Sequence, residues 1–136
     1  MVRPTHAVVD LARLVSNYRA IREHLAASAG AAPPRVIAVI KANAYGHGAV
    51  AVARALEAAE AEGGGVTLAC ADIEEGIELR EAGIQAPVLV FGALSVSDLD
   101  GVFRHRLTPT VSSPSAARRL AAAAADSRCT SRWTPG

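Results

Sequence analysis

Aromatic side chains make up only 4% of this 136-residue chain, and 14 Lys+Arg nearly balance 13 Asp+Glu, for a formal net charge of +1. With no basic excess and no basic run interleaved with aromatics, neither a phosphate-tracking groove nor a base-stacking platform is expected, so nucleic acid is not an expected partner. No apolar run approaches the ~20 residues that span a bilayer. The start, Met1-Val2-Arg3-Pro4-Thr5-His6, lacks the charged-then-apolar pattern of an export signal. The expectation is a cytoplasmic chain with no membrane association. Two cysteines, Cys70 and Cys129, are too few for a disulfide or zinc framework and read as incidental thiols. No metal is expected: Asp72, Glu74, Glu75 and Glu78 cluster, but carboxylates at a helix start favour its positive dipole end and otherwise face water.

What the chain does have is 51% hydrophobic residues, which suits one globular unit. Asp10 is placed to cap an amphipathic helix whose stripe is Leu11, Leu14, Val15, Tyr18, Ile21, Arg22 and Leu25, ending before Gly30 and Pro33-Pro34. Tyr18 falls on that stripe and reads as packing. Val36–Ile40 is an apolar strand. Ala49–Glu62 is an alanine-rich helix with Val50, Ala53 and Leu56 on one face, stopped by Gly63-Gly64-Gly65. Val66–Ala71 is the next strand, Asp72 caps a helix over Ile73–Ala82, and Gly83 stops it. Pro87 opens a strand through Phe91. A helix near Ser97–His105, a short strand around Leu107–Val111 and a helix over Ser115–Ala125 follow. Strands alternating with helices at this period imply an α/β fold with a parallel sheet and right-handed crossovers. On pattern alone, half of an eight-fold barrel and a small doubly wound sheet are equally open.

The most informative stretch is Val36-Ile37-Ala38-Val39-Ile40-Lys41-Ala42-Asn43-Ala44-Tyr45-Gly46-His47-Gly48. Five apolar residues read as a buried parallel strand, and the glycines as a tight βα turn. Ligands of α/β folds sit at this carboxyl end of the strands. A lysine there, partly desolvated, has its amine form favoured and becomes able to condense with an aldehyde cofactor. An isolated strand-end lysine more often simply points to solvent. His47 reads as an exposed turn histidine that could orient the loop, with no catalytic role assigned.

The run VIKANAYGHG resembles the pyridoxal-phosphate-binding motif of alanine racemases. His6-Ala7-Val8-Val9-Asp10-Leu11 is similar to the family's opening strand, and Gly83-Ile84-Gln85-Ala86-Pro87-Val88-Leu89-Val90-Phe91-Gly92 to its third barrel strand. The resemblance implies a partial TIM-type (β/α) barrel of about four βα units, preceded by a strand and an amphipathic helix. It implies pyridoxal 5'-phosphate as cofactor and interconversion of L- and D-alanine, supplying D-alanine for peptidoglycan. Lys41 would hold the cofactor and act as the base on one face of the substrate. Tyr45 would hold the cofactor phosphate, and Phe91, where the family usually has an aliphatic residue, would contact the ring. In the family a tyrosine from the C-terminal domain of the partner in a homodimer supplies the opposite base. This chain has no segment matching that domain. A racemase of another amino acid, or a non-catalytic cofactor-binding or inert fragment, stays open beside the alanine reading.

Residues 1–126 are expected to form the N-terminal part of such a barrel, and residues 127–136 an irregular, non-family tail. With synonymous codons chosen for Arg128–Gly136, the letters read from the third base spell VHLKVDTGM, which is similar to the family's next strand. A frameshifted, truncated member, poorly soluble and with little turnover, is the resulting expectation.

Overall fold

The computed structural model describes residues 6–28, 34–60, 65–92 and 99–130, with side chains to residue 125. Helix α1 (Leu11–Ser28) starts where expected, because Asp10 Oδ1 accepts the Arg13 N–H at 3.0 Å. Of the apolar stripe, Tyr18 is buried and Leu11 and Leu14 pack on the core. Ile21 is 54% exposed instead of buried, because it lines an open groove. Arg22 Nη1 donates to Glu60 Oε1 at 2.9 Å and ties α1 to the end of α3 (Ala49–Ala59). On α3 the buried face is Ala49, Val52, Ala53 and Leu56. That i, i+3, i+4, i+7 stripe holds the expected Ala53 and Leu56, with the expected Val50 packed against the core from its edge.

The strands are β1 (Ile37–Val39), β2 (Thr67–Cys70), β3 (Val88–Val90) and β4 (Thr108–Pro109), all parallel and adjacent in the order β1-β2-β3-β4. A doubly wound sheet reverses direction at a switch point, and this sheet does not. With right-handed crossovers throughout, an unreversed order puts every connecting helix on one face. The burial pattern follows from that. Leu68, Cys70, Val88 and Val90 are at most 1% exposed beneath the helices, while on the other face Ile37, Val39, Thr67, Leu89 and Thr108 are exposed or half-buried and only the small Ala69 between them is buried. These are four consecutive units of a (β/α) barrel, seen from inside on the open face. Strand β1, expected to be buried, is therefore half-open, with Ile37 at 52% and Val39 at 39%.

Two further expectations change. Residues 6–10 form no strand: Val8 is 83% exposed, and a groove of about 550 Å³ separates this segment from β1, so no ladder forms. Helix α6 (Pro114–Thr130) continues through residues 127–130, where an irregular tail was expected, because Leu120 and the run Ala121–Ala125 supply strong helix formers that carry the turn onward. Residues 131–136, and the expected helix start at Ser97 before α5 (Leu99–Arg104), lie outside the described residues. Among the described residues no helix is long and apolar enough to cross a membrane.

The end of the sheet away from the carboxyl lip is fastened by two side chains. The Arg80 guanidinium, from α4 (Ile73–Glu81), donates to the carbonyls of Ile84, Ala86, His105 and Arg106 at 2.7–3.2 Å. Glu57 Oε1 accepts the N–H groups of Gln85 and Ala86 at 2.8 and 2.6 Å. Both clamp the loop leading into β3. Truncating Arg80 strips partners from four carbonyls, so Arg80→Ala is expected to lower unfolding free energy by about 2–4 kcal/mol in urea titrations, with Arg80→Lys recovering only part.

Candidate functional site at the carboxyl lip

The parallel ladder runs past the strand ends. Ile40 N–H donates to Ala69 O (2.8 Å), Phe91 N–H to Cys70 O (3.1 Å), Gly92 N–H to Ala71 O (2.8 Å) and Thr110 N–H to Val90 O (2.9 Å). The carboxyl ends of all four strands are thereby drawn into one lip. Gly92 is needed for it: a Cβ there would lie 2.7 Å from Ala71 O, a backbone atom that cannot step aside.

At this lip β1 passes into α2 (Lys41–Gly46), which is not a right-handed helix. Ala42, Asn43, Ala44 and Tyr45 have φ of 51–54° and ψ of 39–50°, a left-handed turn of four consecutive non-glycine residues. Each such residue costs roughly 1–2 kcal/mol, and L-residues normally visit this region singly. The composition lessens the strain. None of the four is β-branched, Asn tolerates the region, and Gly46 (φ 82°) and Gly48 (φ 91°) take the positions that follow.

The remaining strain is offset by a dense set of hydrogen bonds. Ala44 N–H reaches Ile40 O at 2.8 Å, Gly48 N–H reaches Asn43 O at 2.9 Å, and Asn43 Oδ1 accepts the first N–H of α3, that of Ala49, at 2.7 Å. His47 donates its N–H to Ala44 O, and its ring Nδ1 lies 3.0 Å from Ala44 O and 3.2 Å from Tyr45 O. His47 is exposed as expected, and it also fastens the turn's carbonyls.

The acidic cluster resolves into separate roles. Asp72 Oδ1 caps α4 through the Glu75 N–H at 2.9 Å. Glu75 turns back from α4, with Oε1 accepting the Ala42 N–H at 2.5 Å and Oε2 the Ala71 N–H at 2.7 Å. Glu74 and Glu78 are exposed. The expectation that helix-start carboxylates face water fails for Glu75, and the Asp-x-x-Glu capping spacing at 72–75 is the signal that could have found it. Beneath them Cys70 is buried, its Sγ 3.4 Å from Asp72 O. Burial, with Glu75 and Asp72 adding negative charge, pushes its thiol up to about 12.

Lys41, Tyr45 and Phe91 all lie at this lip. Lys41 and Phe91 follow β1 and β3, two strand spacings apart, or about 10 Å between backbones. Lys41 is exposed, where partial desolvation was expected, because the open face of the sheet beside it is uncovered, with Val39 39% exposed. Tyr45 is 60% exposed and Phe91 47%. The 550 Å³ groove is lined by His47, Tyr18, Val39 and Ile40 but by none of these three. Lys41 is also the only lysine in the chain, all 13 other basic residues being arginine (14 Lys+Arg less one), a selectivity that a motif-centred reading passes over.

The family model described as the alanine racemase N-terminal domain matches residues 9–132. The chain is 48% identical over 122 residues to alanine racemase of Xylella fastidiosa (strain Temecula1), covering 89% of this chain and 30% of that protein. It is 50% identical over 105 residues to the catabolic alanine racemase of Pseudomonas aeruginosa, covering 76% and 26%. Its structure resembles that of alanine racemase from Streptomyces coelicolor A3(2), with a TM-score of 0.72 and 31% identity over 87% of this chain and 29% of that one. The chain thus spans under a third of the length of these relatives.

Two measurements check the site. Ala42 is exposed with φ 51°, so Ala42→Gly relieves strain without losing burial. Its unfolding free energy is expected to rise by about 0.5–1 kcal/mol, an unusual sign for glycine inside a hydrogen-bonded turn. For Cys70 the folded state holds its proton to about pH 12 while the unfolded thiol ionises near 9. Its contribution is complete below pH 9 and is lost as pH rises towards 12. Cys70→Ala should therefore flatten the alkaline fall of unfolding free energy.

Proposed function

The chain belongs to the alanine racemase family, and from that membership we propose that it carries the lysine-bearing half of a pyridoxal 5'-phosphate site that interconverts L- and D-alanine. The observation that carries the reading is the chain's sole lysine, placed at the carboxyl lip of a barrel sheet at the start of a strained, hydrogen-bonded turn. Strain of this kind concentrates where geometry serves function. The residues present fit the cofactor: an exposed primary amine for its aldehyde, an exposed phenol four residues on for its phosphate, and an exposed ring two strands across. Among the described residues no ion pair engages Lys41.

When bound, pyridoxal phosphate supplies the electron sink that lets an α-carbon give up its proton. Lys41 Nζ would hold the cofactor through its aldehyde, and the same side chain would serve as the base on one face, accepting a proton as the neutral amine and giving one back as the ammonium. Tyr45 Oη would donate to an oxygen of the cofactor phosphate. Phe91 would contact the cofactor ring. Racemisation needs a second proton carrier on the opposite face. The only other tyrosine, Tyr18, is buried against the core, where burial, with Glu60 nearby, holds its phenol above the usual range. We assign that carrier to a partner subunit in a homodimer.

Incubation with pyridoxal phosphate and cyanoborohydride, followed by peptide mass mapping, tests the reading without interference from other lysines. A phosphopyridoxyl mass on Lys41, formed faster than on the terminal amine and slowed in Tyr45→Phe, is expected. Labelling confined to the chain terminus would sink it.

A further inference from the structure

The left-handed turn has one support from outside its own loop among the hydrogen bonds described, and that support is Glu75. Its two oxygens are divided between neighbouring strand ends, Oε1 on the N–H of Ala42 just past β1 and Oε2 on the N–H of Ala71 just past β2. The backbone of Glu75 is itself held by Asp72 Oδ1 at the start of α4. The carboxylate thus sits on a rigid platform with two charge-assisted bonds, of the stronger kind. Ala42 follows Lys41 directly and is the first of the four residues with positive φ.

Solvation alone does not explain this contact. Ala42 is exposed, so water could satisfy its N–H equally well. What water cannot do is fix the direction in which that N–H points, and so the hand in which the chain leaves β1. Gly76, the next residue on α4, strengthens the case: a Cβ there would lie 2.9 Å from Leu107 Cδ1 and 3.6 Å from Cys70 Sγ. The absence of that Cβ lets α4 sit close against the sheet.

We propose that Glu75 is a positioning residue for Lys41: by holding the Ala42 N–H from the platform of α4, it selects the left-handed exit from β1 and so the place of the Lys41 amine on the lip. Its importance for catalysis rests on the reading of Lys41 as the cofactor anchor, but its effect on the turn does not, and the two are separable by experiment.

The whole chain is treated with 13C-formaldehyde and cyanoborohydride, which gives one dimethyl-lysine NMR signal, and Ala42 amide exchange is measured on the unlabelled chain. Both are repeated in Glu75→Gln, in Glu74→Ala as a neighbouring exposed control, and in Arg80→Ala as a variant destabilised at the far end of α4. Glu75→Gln should speed Ala42 exchange about tenfold beyond any change in Arg80→Ala, move the lysine signal, and slow phosphopyridoxyl labelling of Lys41 about tenfold. Glu74→Ala should change none of these. Should Glu75→Gln fail to fold, Glu75→Asp, which keeps the charge at the helix start but shortens the reach, should displace the same signal at near-native melting temperature. An unmoved lysine signal, or one moved equally in Arg80→Ala, overturns the proposal. Failure of the unaltered chain to take phosphopyridoxyl label at Lys41 overturns the cofactor reading alone, since the exchange and methyl signals report the turn without it.

Discussion

Residues 42–45 wind in the hand that L-amino acids resist, and the geometry of the lip depends on their being kept there. Such a segment persists only when its surroundings leave it no alternative. Here buried Ile40 anchors it on one side and buried Ala49 on the other, its own Ala44 is buried, and the Asn43, His47 and Glu75 side chains hold its polar groups. The motif's letters are then less a set of reagents than a specification of backbone shape. Asn43 and His47 touch only backbone in the hydrogen bonds described, and Gly46 and Gly48 allow the path back into α3.

The two ends of the sheet do different work. At the end away from the lip, Arg80 and Glu57 gather carbonyls and N–H groups from two segments, 84–86 and 105–106, into one hydrogen-bonded lattice. At the lip, strain, exposed functional groups and a glycine obliged by a backbone oxygen come together. This division suits barrels in general, where the carboxyl face carries chemistry and the opposite face carries stability. Burial first, and then Arg106, lower the Arg80 guanidinium below its usual range.

Local signals made much of this legible in the sequence. Asp72 and Gly83 bracket α4 as expected, since a side-chain cap and a positive-φ stop are decided within a few residues. The strand positions were legible for the same reason, and Lys41, Tyr45 and Phe91 fall at one lip because their spacing from strand ends is local. Exposure was not legible. Ile37, Val39 and Ile21 read as core because their pattern is apolar, but whether a face is covered depends on what lies opposite it, which no window along the chain contains. The segment 6–10 has strand-like letters and no partner, and pairing is a property of two segments. Glu75 was hidden differently: 33 positions separate it from Ala42, so its helix-start context was visible and its target was not.

Lys41 carries the chain's only side-chain amine, which leaves the terminal amine as its one rival for aldehydes. Arginine supplies the remaining Lys/Arg charge, on a guanidinium that stays protonated and so is a poor nucleophile. Reducing sugars and glutaraldehyde, which ordinarily scatter over many lysines, will therefore find a single side-chain target, the group the turn presents. The same scarcity that makes the site easy to read by chemistry makes it the place where glycation would first do harm.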